Sequence, residues 1–263
     1  MSSIEVMALS KSFGRAASAQ RVLDQVSLSL PAGKVIALVG ESGSGKSTLA
    51  RIILGLEQPS AGRVVFRADT TEEPVSIRRV QMVFQDPFAS LNPAHRIRTH
   101  LERPLRKLRG LTERGAIEAE LRRLLELVGL SPAERFLDRF PGSLSGGQRQ
   151  RVAIARALAP APDFLIADEP TSMLDVSLRG EILTLLRELG EAGIGLLLIT
   201  HDLKSVREIS DEVCVLLRGQ IVERGETDAV LGDPQHPYTQ RLLGAVPDPL
   251  GHFLSRAGSS AAL

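Results

Sequence analysis

At 263 residues and a net charge of +1, the chain can form one large domain or two small ones. That charge offers no global attraction for nucleic acid or for an acidic partner. Its 43% hydrophobic and 24% charged residues are ordinary for a soluble globular protein, and its single cysteine excludes an intramolecular disulfide and any cysteine-built iron–sulfur or zinc cluster.

Taken in chain order, Met1–Leu9 lacks the charged, apolar and small-residue succession of a secretory leader. Ile4–Leu9 and Val22–Leu30 are apolar or alternating and predict strands, with a small-residue loop over Gly14–Gln20. Lys34–Val39 predicts a buried strand, Pro59–Gly62 a turn, Val64–Phe66 a short strand and Val80–Phe84 another. From about 90 to 159 the period becomes helical, through Leu101, Leu105 and Leu108, then Ile117, Leu121, Leu124, Leu125 and Val128. The arginines between them, among them Arg103, Arg106, Arg109, Arg122 and Arg123, read as a solvated face or, alternatively, as a contact with a membrane-embedded partner. Without interleaved aromatic residues a nucleic-acid groove is the weakest reading.

The strand–helix alternation then returns. Phe164–Ala167 and Gly195–Ile199 predict strands, Val176–Leu189 and Leu203–Ile209 helices, and Val213–Leu217 with Gln220–Arg224 a hairpin across Arg218–Gly219. Cys214 falls in that first hairpin strand and reads as a buried thiol. The segment after Gly232, with Pro234, Pro237, Pro247 and Pro249, predicts an irregular tail with a mobile end. The order predicts an α/β fold: a mostly parallel core sheet, an antiparallel N-terminal β part and an inserted helical subdomain. Residues 1–246 form that domain and 247–263 the tail. Gly193–Thr200 is the longest clean apolar stretch, far short of a membrane span, so a soluble, cytoplasmic chain is expected and any spanning must be done by another.

The stretch Gly40-Glu41-Ser42-Gly43-Ser44-Gly45-Lys46-Ser47-Thr48 carries the first chemistry. An apolar strand precedes it and a helix-like segment with Leu49, Ile52 and Ile53 follows. The G-x-x-x-x-G-K-[ST] pattern places backbone N–H groups and a helix N-terminus around nucleotide phosphates. Lys46 then reaches the β- and γ-phosphates and Ser47 ligates Mg²⁺, while Gly43 and Gly45 accept positive φ and close ligand approach. Alone, the stretch also reads as a flexible loop. Phe164–Glu169 is an apolar strand that ends in two carboxylates; beside a phosphate loop, Asp168 is placed for Mg²⁺ and Glu169 to polarise water. Leu144-Ser145-Gly146-Gly147-Gln148 at a helix start makes a second anion site, or merely a glycine-rich helix start. One chain rarely needs two such sites for one nucleotide unless the second serves a neighbour.

Gly40–Ser47, Gln85, Leu144–Gln148, Phe164–Glu169, Ser172–Asp175 and His201 resemble, in that order, the Walker A, Q-loop, signature, Walker B, D-loop and H-loop motifs. Together they mark the ATP-binding subunits of ABC transporters, and the resemblance runs from about Ile4 to Val246. It implies ATP and Mg²⁺ as cofactors and a P-loop ATPase fold. Phe13 matches the aromatic position that stacks on adenine, with a core phenylalanine as the alternative. Gln85 is implied to touch Mg²⁺ and water, His201 the γ-phosphate, and Glu169 is the catalytic base. Ser145, Gly146, Gly147 and Gln148 serve the ATP of an opposing subunit, and Asp175 runs along the interface of a head-to-tail dimer.

Two further stretches narrow the resemblance. Phe84–Pro93, with the order F-Q-D-P-F-A-S-L-N-P, and His236–Leu243, with H-P-Y-T-Q-R-L-L, followed by Val246-Pro247, are similar to oligopeptide, dipeptide and nickel importer ATPases. These stretches touch no catalytic residue except Gln85 and so speak to subfamily. The implied partners are a second ATPase subunit (paralogue or self), two membrane permeases and an extracytoplasmic solute-binding protein, with no nucleic acid. The implied place is peripheral, at the cytoplasmic face of the cell membrane. Peptide import leads; nickel or metal-chelate import is the alternative within the subgroup. A soluble ABC ATPase of DNA repair or the ribosome, and a small-molecule kinase, are the readings from other classes.

Overall fold

The computed structural model describes residues 2–14, 19–68 and 71–245 of the protein. Its strands form two sheets. Ser2–Phe13 (β1) and Gln20–Pro31 (β2) pair antiparallel; Ala61–Ala68 (β4) joins the other edge of β1, followed by Thr71–Pro74 (β5). The second sheet holds Val35–Val39 (β3), Val80–Val83 (β6), Phe164–Asp168 (β7), Gly195–Ile199 (β8), Glu212–Leu217 (β9) and Gln220–Glu226 (β10). Its order is β10-β9-β3-β8-β7-β6, parallel except for β10.

Every residue of β3 and β8 is buried, as expected of parallel strands covered on both faces and read as unbroken apolar runs. One face packs on the antiparallel sheet and on Lys46–Ile53 (α1), through Ile36, Leu38, Leu49, Ile53, Leu28 and Phe66. The other face packs on helices that lie between β6 and β7 in the chain. These are Pro87–Ser90 (α2), Ile97–Leu108 (α3), Arg114–Leu127 (α4), Glu134–Leu137 (α5) and Gly146–Leu158 (α6), joined on that face by Val176–Glu191 (α7). Leu101, Leu105, Ile117, Leu121, Leu124 and Leu125 are buried there, so the helical spacing seen in the sequence marks the packed face. The arginines between them mostly find carboxylates, as in Arg106–Glu102 and Arg122–Glu134.

Leu203–Ile209 (α8), Thr227–Gly232 (α9) and Pro237–Gly244 (α10) cover the β9 side of the sheet around Val39, Val213 and Val215. The expectation of an irregular tail after Gly232 is therefore wrong over residues 237–244. Pro237 sits at the first helical position, where its missing N–H costs nothing, and the buried side chains of Tyr238 and Leu243 hold the helix down. Residues 247–263, read as an irregular, mobile tail, lie outside the described residues, as do 15–18 of the small-residue loop. Gln20, placed in that loop, already pairs with Phe13. Strand β4 begins at Ala61, inside the expected turn, and β5 was not anticipated because Thr71–Pro74 is polar and exposed throughout. Phe13 ends β1 with 43% of its surface exposed, which rules out the core alternative. Cys214 is fully buried in β9, and burial pushes its thiol up to about 11.

Candidate active site

In an open parallel sheet, loops at the carboxyl ends of adjacent strands converge where the strand order reverses. Here β3 runs into Gly40–Gly45, β7 ends at Asp168, β8 leads through Thr200 to His201, and β6 leads through Phe84 to Gln85. These ends are adjacent in the order β3-β8-β7-β6, so four distant segments meet by topology alone. The cleft between them has a volume of about 550 Å³ and is lined by Gly40, Ser42, Gly43, Gly45, Lys46, Ser47, Thr48, Gln85, Asp168, Glu169, His201 and Val22.

The loop after β3 is shaped by close backbone approach. Gly40 has φ 151°, and a Cβ there would stand 2.2 Å from the Leu216 carbonyl oxygen of β9. Gly43 and Gly45 have φ of 80° and 112°, the positive values that the sequence demands of them. The following helix α1 starts at Lys46, whose buried Nζ donates to the carbonyls of Gly40 (2.7 Å) and Glu41 (2.8 Å). Burial lowers the Lys46 pKa, opposed by the charges of Glu169, Asp168 and Glu41. An anion entering here meets an ammonium already desolvated, and a helix N-terminus.

Ser47 donates from Oγ to Asp168 Oδ2 at 3.1 Å. Burial raises the Asp168 pKa, while the Ser47 hydroxyl acts against it. Glu169 follows with φ 45°, a left-handed conformation costing a non-glycine residue roughly 1 kcal/mol or more. Its N–H donates to the Ile199 carbonyl at 2.8 Å, which holds the reversal in place. The reversal sends the carboxylate away from Asp168 and toward two partners. Gln85 Nε2 donates to Oε2 at 3.1 Å, and His201 Nδ1 lies 3.0 Å from Oε1. His201 is fixed from behind: Thr200 Oγ1 accepts from the Asp202 N–H, and Asp202 caps α8 at Lys204.

Phe13 stands apart from these residues at the end of β1, with Lys11 Nζ 4.8 Å from its ring centroid. Ser145, Gly146, Gly147 and Gln148 open α6, and Asp175 opens α7. Ser145 and Gln148 form a reciprocal capping box: Ser145 Oγ accepts from Gln148 N–H, and Gln148 Oε1 accepts from Ser145 N–H, both at 3.2 Å. The helix-start reading is thus correct as local structure, and Ser145 still keeps its own O–H to donate. A Cβ on Gly147 would lie 3.1 Å from Leu178, so α6 and α7 pack closely there. Asp175 is exposed and makes no cap hydrogen bond.

Three participants escape a reading of the sequence. Val22 of β2 lines the cleft, yet its alternating pattern signals only a strand. Gly219 donates its N–H to the Ser44 carbonyl at 3.0 Å, and Tyr238 accepts from the Glu41 N–H at 2.9 Å. Both buttress the loop from the last quarter of the chain, where no local pattern signals contact with residue 41 or 44.

Residues 23–172 match the family model described as ABC transporter, and residues 222–259 match the oligopeptide/dipeptide transporter C-terminal region. The chain is similar to the dipeptide transport ATP-binding protein DppF of Haemophilus influenzae, 44% identical over 86% of this chain and 71% of that one. It is also similar to a putative peptide import ATP-binding protein of Brucella abortus, 45% identical over 86% of this chain and 70% of that one. The glutathione import ATP-binding protein GsiA of Salmonella typhimurium is 45% identical over 91% of this chain, which spans 40% of that longer protein. Among solved structures, a dimeric ATP-binding cassette, MJ0796, bound to ADP and Pi superposes with a TM-score of 0.73 at 30% identity, covering 85% of this chain and 98% of that one. CbiO1 of Clostridium perfringens, part of the ABC transporter complex cbiONQ, does so with 0.75 at 28%, covering 88% and 90%. The chain belongs to the ABC transporter family, as one of its ATP-hydrolysing cassettes.

Proposed function

We propose that this chain powers the import of peptides, or of a closely related small solute, by hydrolysing ATP beneath a pair of membrane permeases. The match of residues 222–259 to the oligopeptide/dipeptide transporter C-terminal region carries the peptide reading. Nickel or metal-chelate import draws no support from relatives named for dipeptide, peptide and glutathione import.

ATP would lie along Gly40–Thr48, its adenine against Phe13, and Lys46, held by the Gly40 and Glu41 carbonyls, would present a remaining N–H to the phosphate oxygens. Ser47, Asp168 and the Gln85 side-chain oxygen are hard oxygen donors of the kind Mg²⁺ takes, and the half-buried Asp168 carboxylate, whose pKa is raised chiefly by desolvation, would gain a counter-charge from the ion. Among the described residues no cluster of three or more His, Cys, Asp or Glu could hold a metal by itself; Ser47, Asp168 and Gln85 would hold the ion together with the bound nucleotide. Bound Mg²⁺ supplies neutralisation of phosphate charge. Glu169 is the general base: Gln85 and His201 each occupy one of its oxygens from the side, and the remaining lone pairs accept from water. His201 also contacts the γ-phosphate.

The cleft of one chain contains no donor from Ser145, Gly146, Gly147 or Gln148. In a head-to-tail dimer, with a paralogue or with itself, these residues face the partner's ATP, and Asp175 lies in the interface between Met173 and Val176, apolar residues 57% and 83% exposed. The permeases meet a second concavity of about 370 Å³, where Leu56, Ile77 and Phe84 are exposed beside the Gln85 segment. Residues 1–246 act as the ATPase domain, with residues of about 90–159 as a helical subdomain. No helix among the described residues is long and apolar enough to cross a membrane, in keeping with a peripheral place at its cytoplasmic face. A solute-binding protein delivers cargo from the other side.

Ligand screening of the binding protein that co-purifies with the assembled transporter tests this reading. Binding of di- or oligopeptides that stimulate ATP turnover is the expected result. Uptake of a metal with no peptide bound overturns it.

A further inference from the structure

The C-terminal stretch His236–Leu243 reads in the sequence as a subfamily marker without chemistry, yet it reaches the phosphate loop. The N–H groups of Gln235 and His236 both donate to the Glu223 carboxylate of β10, at 2.7 and 3.1 Å. His236 Nδ1 accepts from the Tyr238 N–H at 3.1 Å and so caps α10. The ring of Tyr238, 3% exposed, packs in the cluster that holds Val39, the residue before the loop. Its hydroxyl accepts the Glu41 N–H at 2.9 Å. That N–H belongs to the Gly40–Glu41 peptide, whose other polar end, the Gly40 carbonyl, accepts from Lys46 Nζ at 2.7 Å. One peptide unit is therefore held at both ends, by Tyr238 and by Lys46. A hydrogen bond to the N–H polarises the carbonyl and fixes its direction.

We infer that Tyr238 is a positioning residue for nucleotide binding, its hydroxyl aiming the Gly40–Glu41 peptide and, through that peptide, the ammonium of Lys46. The inference rests on Gly40–Thr48 being the nucleotide loop, which Lys46→Ala tests separately: retained binding of a fluorescent ADP analogue by that variant fails the loop itself.

Tyr238→Phe keeps the packed ring and removes the hydrogen bond. In the full chain it is expected to weaken binding of the same ADP analogue about three- to tenfold, the range for one lost intramolecular hydrogen bond. In the assembled transporter KM for ATP rises by a similar factor, while kcat at saturating ATP stays within about twofold. Thr239→Val, at a buried position of the same helix whose Oγ1 makes no hydrogen bond, is expected to leave the affinity unchanged. An unchanged affinity in Tyr238→Phe overturns the inference, and so does equal weakening in both variants, which would assign the effect to helix docking. A second measurement needs no substitution. The chain has a single tyrosine, so incorporation of 3-fluorotyrosine yields one ¹⁹F resonance, that of residue 238. Saturating ADP is expected to shift it; a resonance unmoved by ADP overturns the inference as well.

Discussion

Glu169 and His201 share a hydrogen bond, Oε1 to Nδ1 at 3.0 Å, across two neighbouring strands of a parallel sheet. With Gln85 Nε2 donating to the other carboxylate oxygen, Glu169 is held at both of its oxygens. Replacing it by glutamine keeps the shape and removes the carboxylate that we propose as the base. Turnover of Glu169→Gln is expected to fall by roughly 10²–10⁴-fold with nucleotide binding intact. Steady-state phosphate release beside equilibrium nucleotide titration checks this, and near-wild-type release would remove Glu169 from the role.

Asp168 is costly to hold ionised, because its carboxylate is half-buried at the end of β7 beside Glu169, against the opposing charges of Lys46 and Arg51. Its folded pKa lies above the ordinary 3.8, chiefly through burial. Between those two values the folded chain holds a proton that the unfolded chain has lost, so stability falls as pH rises through that window, and the cost persists at neutral pH. Asp168→Asn without nucleotide is therefore expected to melt higher than the parent protein at pH 7, with the gap closing as pH drops below 3.8. It should also lose the extra stabilisation that Mg²⁺ adds to ATP. Thermal melts across pH decide the point; a lower melting temperature at pH 7 contradicts it.

Ser145 caps its own helix and has an O–H left over. If that hydroxyl serves a partner's ATP, Ser145→Arg blocks turnover of the assembled dimer by about 10²-fold or more, while the isolated chain binds nucleotide as before. Loss of binding by the isolated chain would place Ser145 in its own site instead.

Gly219 has φ 82°, and a Cβ there would meet the Val22 carbonyl oxygen at 2.4 Å. Gly219→Ala is expected to destabilise the fold by about 2–4 kcal/mol, from backbone strain and overpacking. Because Gly219 also holds the Ser44 carbonyl, nucleotide affinity should fall with it. Urea unfolding with and without ADP separates the two effects.

The sequence by itself determined the parallel core, since β3, β7 and β8 are unbroken apolar runs, and the positions of Gly40–Thr48, Gln85, Asp168–Glu169 and His201. These are local facts: burial on both faces demands an apolar run, and a phosphate loop demands glycines at set spacing. It misread Pro237 as a breaker, because proline is equally a helix starter and only the buried Tyr238 and Leu243 decide between the two. It passed over β5, whose Thr71–Pro74 carries no apolar signal and pairs only because β4 lies beside it. The tertiary structure alone decided what holds the phosphate loop in shape. Gly219 and Tyr238 lie far from Ser44 and Glu41 along the chain, and their contacts are single hydrogen bonds to backbone groups. A backbone N–H or carbonyl is the same at every residue, so no side-chain pattern can encode which one will be reached. That is fixed by the strand order, which lays β9 beside β3 and brings the hairpin turn and the last helix to the mouth of the cleft.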